Sequence, residues 1–198
     1  MNIILDNFVW MGINSILAAT AVVFGFLSLK FFLKPLKIFF LSLWLLFLPN
    51  TIYILTDMLH FPRQWMGTEG IQRVFLLIQY SFLEAVGIVS FVLSIYFFEK
   101  ILLYSRFKKN KLLIIFMIIL LNFLTAFGVV LGRIQRLNSW DIFTNAEKVM
   151  NESLGIMTSV ELSLLVLFFG MVGNIIYFLF KDTLVMYFKF LKEVRLGK

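Results

Sequence analysis

The stretch LSLWLLFLPNTIYILTDMLH, residues 41–60, joins an apolar run of membrane length to a set of polar side chains. The run begins near residue 36 and reaches about 20 residues, enough to cross a hydrocarbon core ~30 Å thick. Polar side chains then recur at the positions Asn50, Tyr53, Asp57 and His60. At ~100° per residue these four share one helical face. The pattern predicts a membrane-spanning helix with a polar stripe in its second half.

The whole chain has the composition of an integral membrane protein. Hydrophobic residues make up 61% of its 198 residues and charged residues only 15%, against roughly 45–50% and about 25% in ordinary soluble domains. Apolar segments of membrane length recur at about 8–29, 36–56, 71–98, 112–132 and 159–180. The chain has no cysteine, which excludes disulfides and thiolate metal sites. We predict an all-α, polytopic transmembrane helix bundle of five spans, forming a single domain over residues 1–198.

The distribution of Lys and Arg predicts the orientation of these spans. Thirteen of the 18 lie in the first connection, the third connection or the tail after span five, and the remaining five lie in the other two connections. Because cytoplasmic loops are the richer in Lys and Arg, we expect the N-terminus outside and the C-terminus in the cytoplasm. The net charge of +7 then reflects topology and contact with anionic membrane lipid, and we expect no nucleic-acid partner.

The tail after span five is also basic. In residues 182–198 a helix would place Leu184, Phe188 and Leu191 on one face and lysines on another. This amphipathic pattern is typical of a cytoplasmic helix on the membrane surface. A docking surface for a protein partner is the alternative.

Span four ends in a second polar motif. Its polar and small residues share one helical face, and they are Asn122, Thr125, Gly132, Arg133 and Arg136. The segment NSWD, residues 138–141, follows directly. Because spans two and four both end on the outer side, we expect their polar ends to converge around one opening.

Two interpretations of this opening stay open. In a ligand site, Asp57 and His60 would be catalytic groups that move protons, and Arg133 and Arg136 would hold a phosphate or carboxylate. The remaining ligand contacts would be Asn50, Tyr53, Asn138, Trp140 and Asp141. In a structural clamp, Arg133 and Arg136 would instead pair with Asp57 and Asp141 to tie two helix ends together, since half-buried charges need partners in either case.

Glu84 is the only acid well inside an apolar span, close to the predicted midplane of span three. An intramembrane acid is a functional candidate by default, for example as a proton-carrying site. The alternative is a protonated carboxyl that is hydrogen-bonded to Asn122 or Tyr80. Metal binding is disfavoured because His60 is the only histidine and no close-spaced ligand motif accompanies it. We therefore expect no metal and no cofactor.

Small residues line one face of the first and the fifth spans. In span one they are Asn14, Ala18, Ala21, Gly25 and Ser28, and in span five Ser163, Gly170, Gly173, Asn174 and Tyr177. Small residues allow helix backbones to approach closely in a membrane. We interpret both faces as packing seams.

The motifs LPNTIYILTDMLH and GRIQRLNSWD together resemble the signatures of an uncharacterised bacterial membrane family, domain of unknown function 1361. Their order, their spacing and the chain length all fit, so the resemblance covers nearly the whole chain. Members often have Pro-Asn-Ala-Pro-Tyr where this chain has Pro49-Asn50-Thr51-Ile52-Tyr53. The resemblance implies a multi-pass protein of the bacterial cytoplasmic membrane. It implies no activity.

Three functions are compatible with these patterns. The first is a pocket at the extracytoplasmic face that binds or processes an anionic or sugar-bearing, lipid-linked envelope component. The second is a non-enzymatic accessory or scaffold subunit with a membrane-protein partner. The third is a small proton-coupled carrier that uses Glu84. The sequence leaves open whether the protein is an enzyme, although the lack of a nucleotide-binding loop argues against an ATP-driven pump acting alone.

Overall fold

The computed structural model describes residues 3–195, with every side chain except those of residues 106 and 189–195. In this range the chain forms helices and turns and contains no strand, so the all-α prediction is confirmed. The α-helices are α1 (Ile3–Lys30), α2 (Lys34–Phe47), α3 (Pro49–Thr56), α4 (Phe61–Met66), α5 (Ile71–Leu103), α6 (Lys111–Arg133), α7 (Asp141–Thr144), α8 (Ala146–Thr158) and α9 (Val160–Arg195). Two short 3-10 helices, Asp57–His60 and Arg106–Lys109, connect them.

Five helical segments of the described chain are long and apolar enough to cross a membrane, as predicted. They are Ile3–Lys30, Lys34–Met66, Ile71–Leu103, Lys111–Arg133 and Val160–Phe188. The second segment continues to Met66 rather than ending near residue 56, because the 3-10 helix and α4 extend it. Only 17–50% of the most apolar window in each segment is buried within the protein. The remaining apolar surface faces outward, as expected where lipid covers it.

Neighbouring membrane-length segments run in opposite directions. Helix α1 packs against α2 and α5, α6 packs against α9, and α3 contacts α1, α5 and α6. Asp57 and Arg133 meet at one end of the bundle, and Glu99 and Lys181 meet at the other. We call these the Asp57 end and the Glu99 end. Which end faces the cytoplasm stays a prediction.

Helix α9 continues without a break from the fifth span into the basic tail, as far as Arg195. Leu184 packs against the main hydrophobic core. The ring of Phe188 lies 6.0 Å from that of Tyr96 on α5, in a stacked arrangement. The first part of the predicted amphipathic tail therefore packs on the bundle, while the side chain of Leu191 and residues 196–198 lie outside what is described.

Pro49 interrupts the second span, and polar side chains compensate for the interruption. Proline has no N–H, so it cannot donate the hydrogen bond that continues a helix. The carbonyl of Phe47 accepts from Asn50 Nδ2 at 3.0 Å, and the carbonyl of Leu46 accepts from Ser139 Oγ at 3.2 Å. Asn50 Nδ2 also donates to Ser139 Oγ at 3.2 Å. Backbone groups at membrane depth need such partners, and here they link the two sequence motifs.

The ring of Pro49 faces protein rather than lipid. A Cβ atom built on Gly128 of α6 would overlap Cγ and Cβ of Pro49. The two helices therefore touch at this point, and only glycine leaves room for the contact. Pro49 therefore points into the bundle.

Candidate functional site

Arg133, the last residue of α6, holds the end of α3 and the carboxylate that follows it. Its Nη1 lies 3.2 Å from Asp57 Oδ1 and donates to the Tyr53 hydroxyl at 3.4 Å. Its Nη2 donates to the carbonyl of Thr56 at 3.2 Å. The second carboxylate oxygen, Asp57 Oδ2, accepts from Asn14 Nδ2 at 2.7 Å. One guanidinium thus satisfies both side-chain and backbone acceptors, which is the arrangement expected of a clamp.

His60 belongs to the same cluster through Arg133. Its Nε2 lies 3.0 Å from Arg133 Nη2. A guanidinium can only donate hydrogen bonds, so this contact is a hydrogen bond only in the tautomer whose Nε2 is the acceptor. Asp57 and His60 therefore meet through the guanidinium between them. His60 would have to leave Arg133 before its Nε2 could take a proton.

A cavity of about 890 Å³ opens beside this cluster, bounded by α1, α2, α3, α6 and the segment that follows α6. Ligand pockets typically measure about 300–1,000 Å³. Seven of the predicted site residues line it, and they are Asn50, Tyr53, His60, Arg133, Arg136, Asn138 and Trp140. Asp57 is only 2% exposed and is held between Arg133 and Asn14, away from the cavity wall.

Arg136 has a different role from Arg133. Its φ is 54°, and the N–H of Leu137 donates to the carbonyl of Leu131 at 3.2 Å. Arg136 is thus a left-handed residue two positions beyond Ile134, the C-cap of α6, in the backbone that turns back onto the end of the helix. A side chain there costs about 1–2 kcal/mol. The Arg136 side chain is exposed, lines the cavity, and has no hydrogen bond or ion pair to any residue that the structure describes.

The predicted pairing of Arg136 with Asp141 is not formed in the described chain. Asp141 Oδ2 instead accepts from the backbone N–H of Asn138 at 2.6 Å, and the N–H of Asp141 donates to the carbonyl of Asn138 at 3.0 Å. The carboxylate therefore shapes the turn between α6 and α7. Only the Arg133–Asp57 half of the expected clamp is present.

Two residues at this site were missed by the sequence analysis. Asn14, assigned to a packing seam, lines the cavity and holds Asp57. Ser139, on the cavity wall, supports the interruption at Pro49. The signal for Asn14 was available, since a side-chain amide inside an apolar span needs a partner. The signal for Ser139 was the proline, because an interrupted helix leaves carbonyls near the break without helical donors and a nearby hydroxyl can satisfy one of them.

Glu84 lies apart from the cavity, and its expected hydrogen bonds are absent. Asn122 Nδ2 donates to Asn174 Oδ1 at 2.9 Å, and the Tyr80 hydroxyl donates to Gln64 Oε1 at 3.2 Å. Among the described residues, Glu84 Oε1 is buried and has no hydrogen-bond partner. The alternative in which Asn122 or Tyr80 holds Glu84 is therefore wrong.

A second buried charged cluster lies at the Glu99 end and was not predicted. Lys181 Nζ is 2.6 Å from Glu99 Oε1, and the Tyr177 hydroxyl donates to Glu99 Oε2. The cluster joins α5 to α9. Its sequence signal is the spacing of Tyr177 and Lys181, four residues apart on one helical face, which the interpretation of Tyr177 as seam packing overlooked.

Residues 3–195 contain five helical segments of membrane length, with an amphipathic cavity beside the first, second and fourth, which defines a polytopic helical membrane protein. The chain belongs to the family described as Protein of unknown function (DUF1361), which matches residues 10–176. That range includes both motifs, so the resemblance is confirmed. No curated protein and no solved structure matches the chain. In the part of the chain that the structure describes, no three His, Cys, Asp or Glu side chains are grouped as metal ligands.

Proposed function

We propose that this protein binds an anionic or sugar-bearing, lipid-linked envelope component in the cavity at the Asp57 end. The observation that supports this most directly is the state of Arg136. Its guanidinium is exposed at the cavity, it has no partner among the described residues, and its backbone is left-handed. Backbone strain of this kind concentrates at functional sites. Arg also matches the geometry of phosphate and carboxylate groups.

In this proposal the cavity residues divide into two groups. Arg133 is already engaged by Asp57 and shapes the wall, whereas Arg136 is available to the anion. Asn138 and Tyr53 would orient the polar part of the ligand. Trp140, which is 52% exposed, would stack on a sugar ring or lie among head groups. Binding requires no change at Asp57 or His60, and proton transfer by His60 would require Arg133 to release it first.

The proposal can be tested with two ligands that differ in charge. Purified protein in detergent would be titrated with a polyprenyl phosphate and with the uncharged polyprenol, following thermal stabilisation or native mass spectra. Hydrogen bonds to charged groups are worth about 1.5–3 kcal/mol, so Arg136→Gly should weaken binding of the phosphate roughly 10- to 150-fold. Lys148→Ala removes a nearby exposed cation that does not line the cavity and should have no effect. Equal binding of the two ligands would reject the proposal.

The proposal includes a location, the bacterial cytoplasmic membrane, with the Asp57 end and the N-terminus outside and the C-terminus inside. The excess of Lys and Arg toward the Glu99 end supports it. Because the natural chain has no cysteine, single cysteines report the topology directly. Asn138→Cys should react with an impermeant maleimide in intact cells, and Ser105→Cys only after permeabilisation. The reverse pattern would contradict the orientation.

A proton-coupled carrier is the second candidate, and the state of Glu84 favours it. A carboxyl group in a membrane-length helix, with one oxygen buried and without a described partner, is a reasonable proton site. Glu84→Gln should then abolish proton-linked uptake in proteoliposomes and leave the fold intact. Unchanged uptake would remove the carrier function.

A non-enzymatic scaffold is the third candidate, and the clamp formed by Arg133 and Asp57 favours it. In a scaffold the two motifs would serve only to fix the helices that a membrane-protein partner contacts. Purification in mild detergent should then recover a partner in stoichiometric amount. Arg136→Gly should leave that association unchanged, because the Arg136 side chain holds no helix in place.

A further inference from the structure

The cavity changes character along the helices. Polar side chains line it at the Asp57 end. Toward the Glu99 end its wall is mainly apolar, formed by Leu45, Leu46, Leu124 and Phe127. From Leu124 to Arg133, α6 rises about 14 Å, which is close to half of a hydrocarbon core ~30 Å thick. The cavity is therefore about as deep as one leaflet of the bilayer.

Two hydroxyl groups in the apolar part are already satisfied. Ser42 Oγ donates to the carbonyl of Ile38 at 3.1 Å, and Thr125 Oγ1 donates to the carbonyl of Leu121 at 2.9 Å. Ser and Thr side chains that bond back to their own helix need no further partner. The deep part of the wall thus suits hydrocarbon and not a polar ligand.

The apolar part is also open at its side. Leu45 on α2 is 40% exposed and Leu124 on α6 is 51% exposed, so both keep accessible surface beside the cavity that they line. Helix α2 packs against α1, whereas α6 meets the second span through α3, where Gly128 contacts Pro49. The side opening therefore lies between α2 and α6, on the Glu99 side of that contact.

We infer that the ligand enters this cavity sideways from the lipid, between α2 and α6. Its hydrocarbon chain lies between Leu45 and Leu124, and its anionic group lies at Arg136. The inference rests on the proposed function and adds the route of entry: the lipid anion is taken from one leaflet and does not arrive from water. Moving a chain from lipid into an apolar groove exchanges one apolar environment for another. The anionic group of the ligand then supplies the affinity, and its hydrocarbon chain requires entry from the lipid.

The first test narrows the side opening. Leu124→Trp places a larger side chain at the opening. Leu120→Trp makes the same change one turn away, at a residue that is 58% exposed and does not line the cavity. In nanodiscs, Leu124→Trp should lose most of the binding of a long-chain polyprenyl phosphate, whereas Leu120→Trp should keep it. Binding of a short, water-soluble prenyl phosphate should survive both changes. Undiminished long-chain binding in Leu124→Trp would overturn the inference.

The second test leaves the protein unchanged. A long-chain alkyl phosphate with a diazirine at the far end of its chain is photolysed in the nanodisc, and labelled peptides are mapped. Label should concentrate on residues 42–46 and 124–131. Label spread over α9 would overturn the proposed route. Failure of the proposed function looks different, because Arg136→Gly would then leave phosphate binding unchanged whatever the label pattern.

Discussion

Arg133 Nη1 lies 3.2 Å from Asp57 Oδ1, although 76 residues separate them in the chain. The Asp57 side chain is 3% exposed and the Arg133 side chain is 19% exposed. Because α6 ends at one partner and α3 ends just before the other, this ion pair joins the two sequence motifs alongside the hydrogen bonds of Ser139. The same contact leaves Arg136 as the guanidinium available to the cavity. The functional proposal depends on that division.

Arg133→Gln should strongly destabilise the protein. Removing one partner of a buried ion pair leaves an uncompensated charge and costs about 3–5 kcal/mol. The thermal unfolding temperature in detergent should fall sharply. Combining it with Asp57→Asn should recover part of the loss, because no buried charge then remains unpaired. A double variant less stable than Arg133→Gln would contradict the clamp.

Arg136→Gly should be more stable than Arg136→Ala by about 1 kcal/mol, since only glycine adopts a positive φ without steric cost. Both changes remove the same cation and should weaken phosphate binding equally. Measuring unfolding temperature and binding on the two variants separates backbone strain from ligand contact. Equal stability would show that the left-handed conformation at this position carries no cost.

Gly128→Ala should destabilise the bundle by about 1–3 kcal/mol, because its methyl group would overlap the ring of Pro49. Gly12→Ala in α1 is the matched control. A Cβ atom there has no neighbour within 4 Å, and replacing a helical glycine by alanine gains about 0.5–1 kcal/mol. The two variants should therefore move the unfolding temperature in opposite directions.

Lys181→Met should destabilise the Glu99 end by about 3 kcal/mol, at the lower end of the range for a broken buried pair because Lys181 is 27% exposed. Adding Glu99→Gln should restore most of the loss, since Gln is uncharged and still accepts from the Tyr177 hydroxyl. Neither variant should alter phosphate binding at the opposite end of the bundle. A change in that binding would show that the two ends are coupled.

Much of this architecture follows from patterns that are local in the sequence. Apolar segments of membrane length predict five helical spans, because a chain segment in lipid must satisfy its backbone hydrogen bonds internally. The helical face shared by Asn50, Tyr53 and His60 could also be predicted, because the rotation of about 100° per residue decides which side chains lie on one side of a helix. These three residues do line one cavity.

What the sequence could not supply was the choice of partner. Two arginines could have paired with Asp57 according to the sequence. The position at which α6 ends decides that Arg133 forms the ion pair. Glu84 had two plausible partners, and both are engaged elsewhere, by Asn174 and Gln64. Such choices depend on the rotation of one helix against another, which is set by close contacts such as that of Gly128 with Pro49 and is not encoded in either helix alone.

The interruption at Pro49 also has a consequence for biogenesis. The carbonyl of Leu46 is satisfied by Ser139, which leaves the ribosome only after the fourth span. Chains fold from the N-terminus during synthesis, so the second helix reaches the bilayer before its supporting hydroxyl exists. A nascent chain stalled before residue 139 would lack the hydroxyl group that donates to that carbonyl. The bend in the second span is therefore completed only when the segment after the fourth span has joined it.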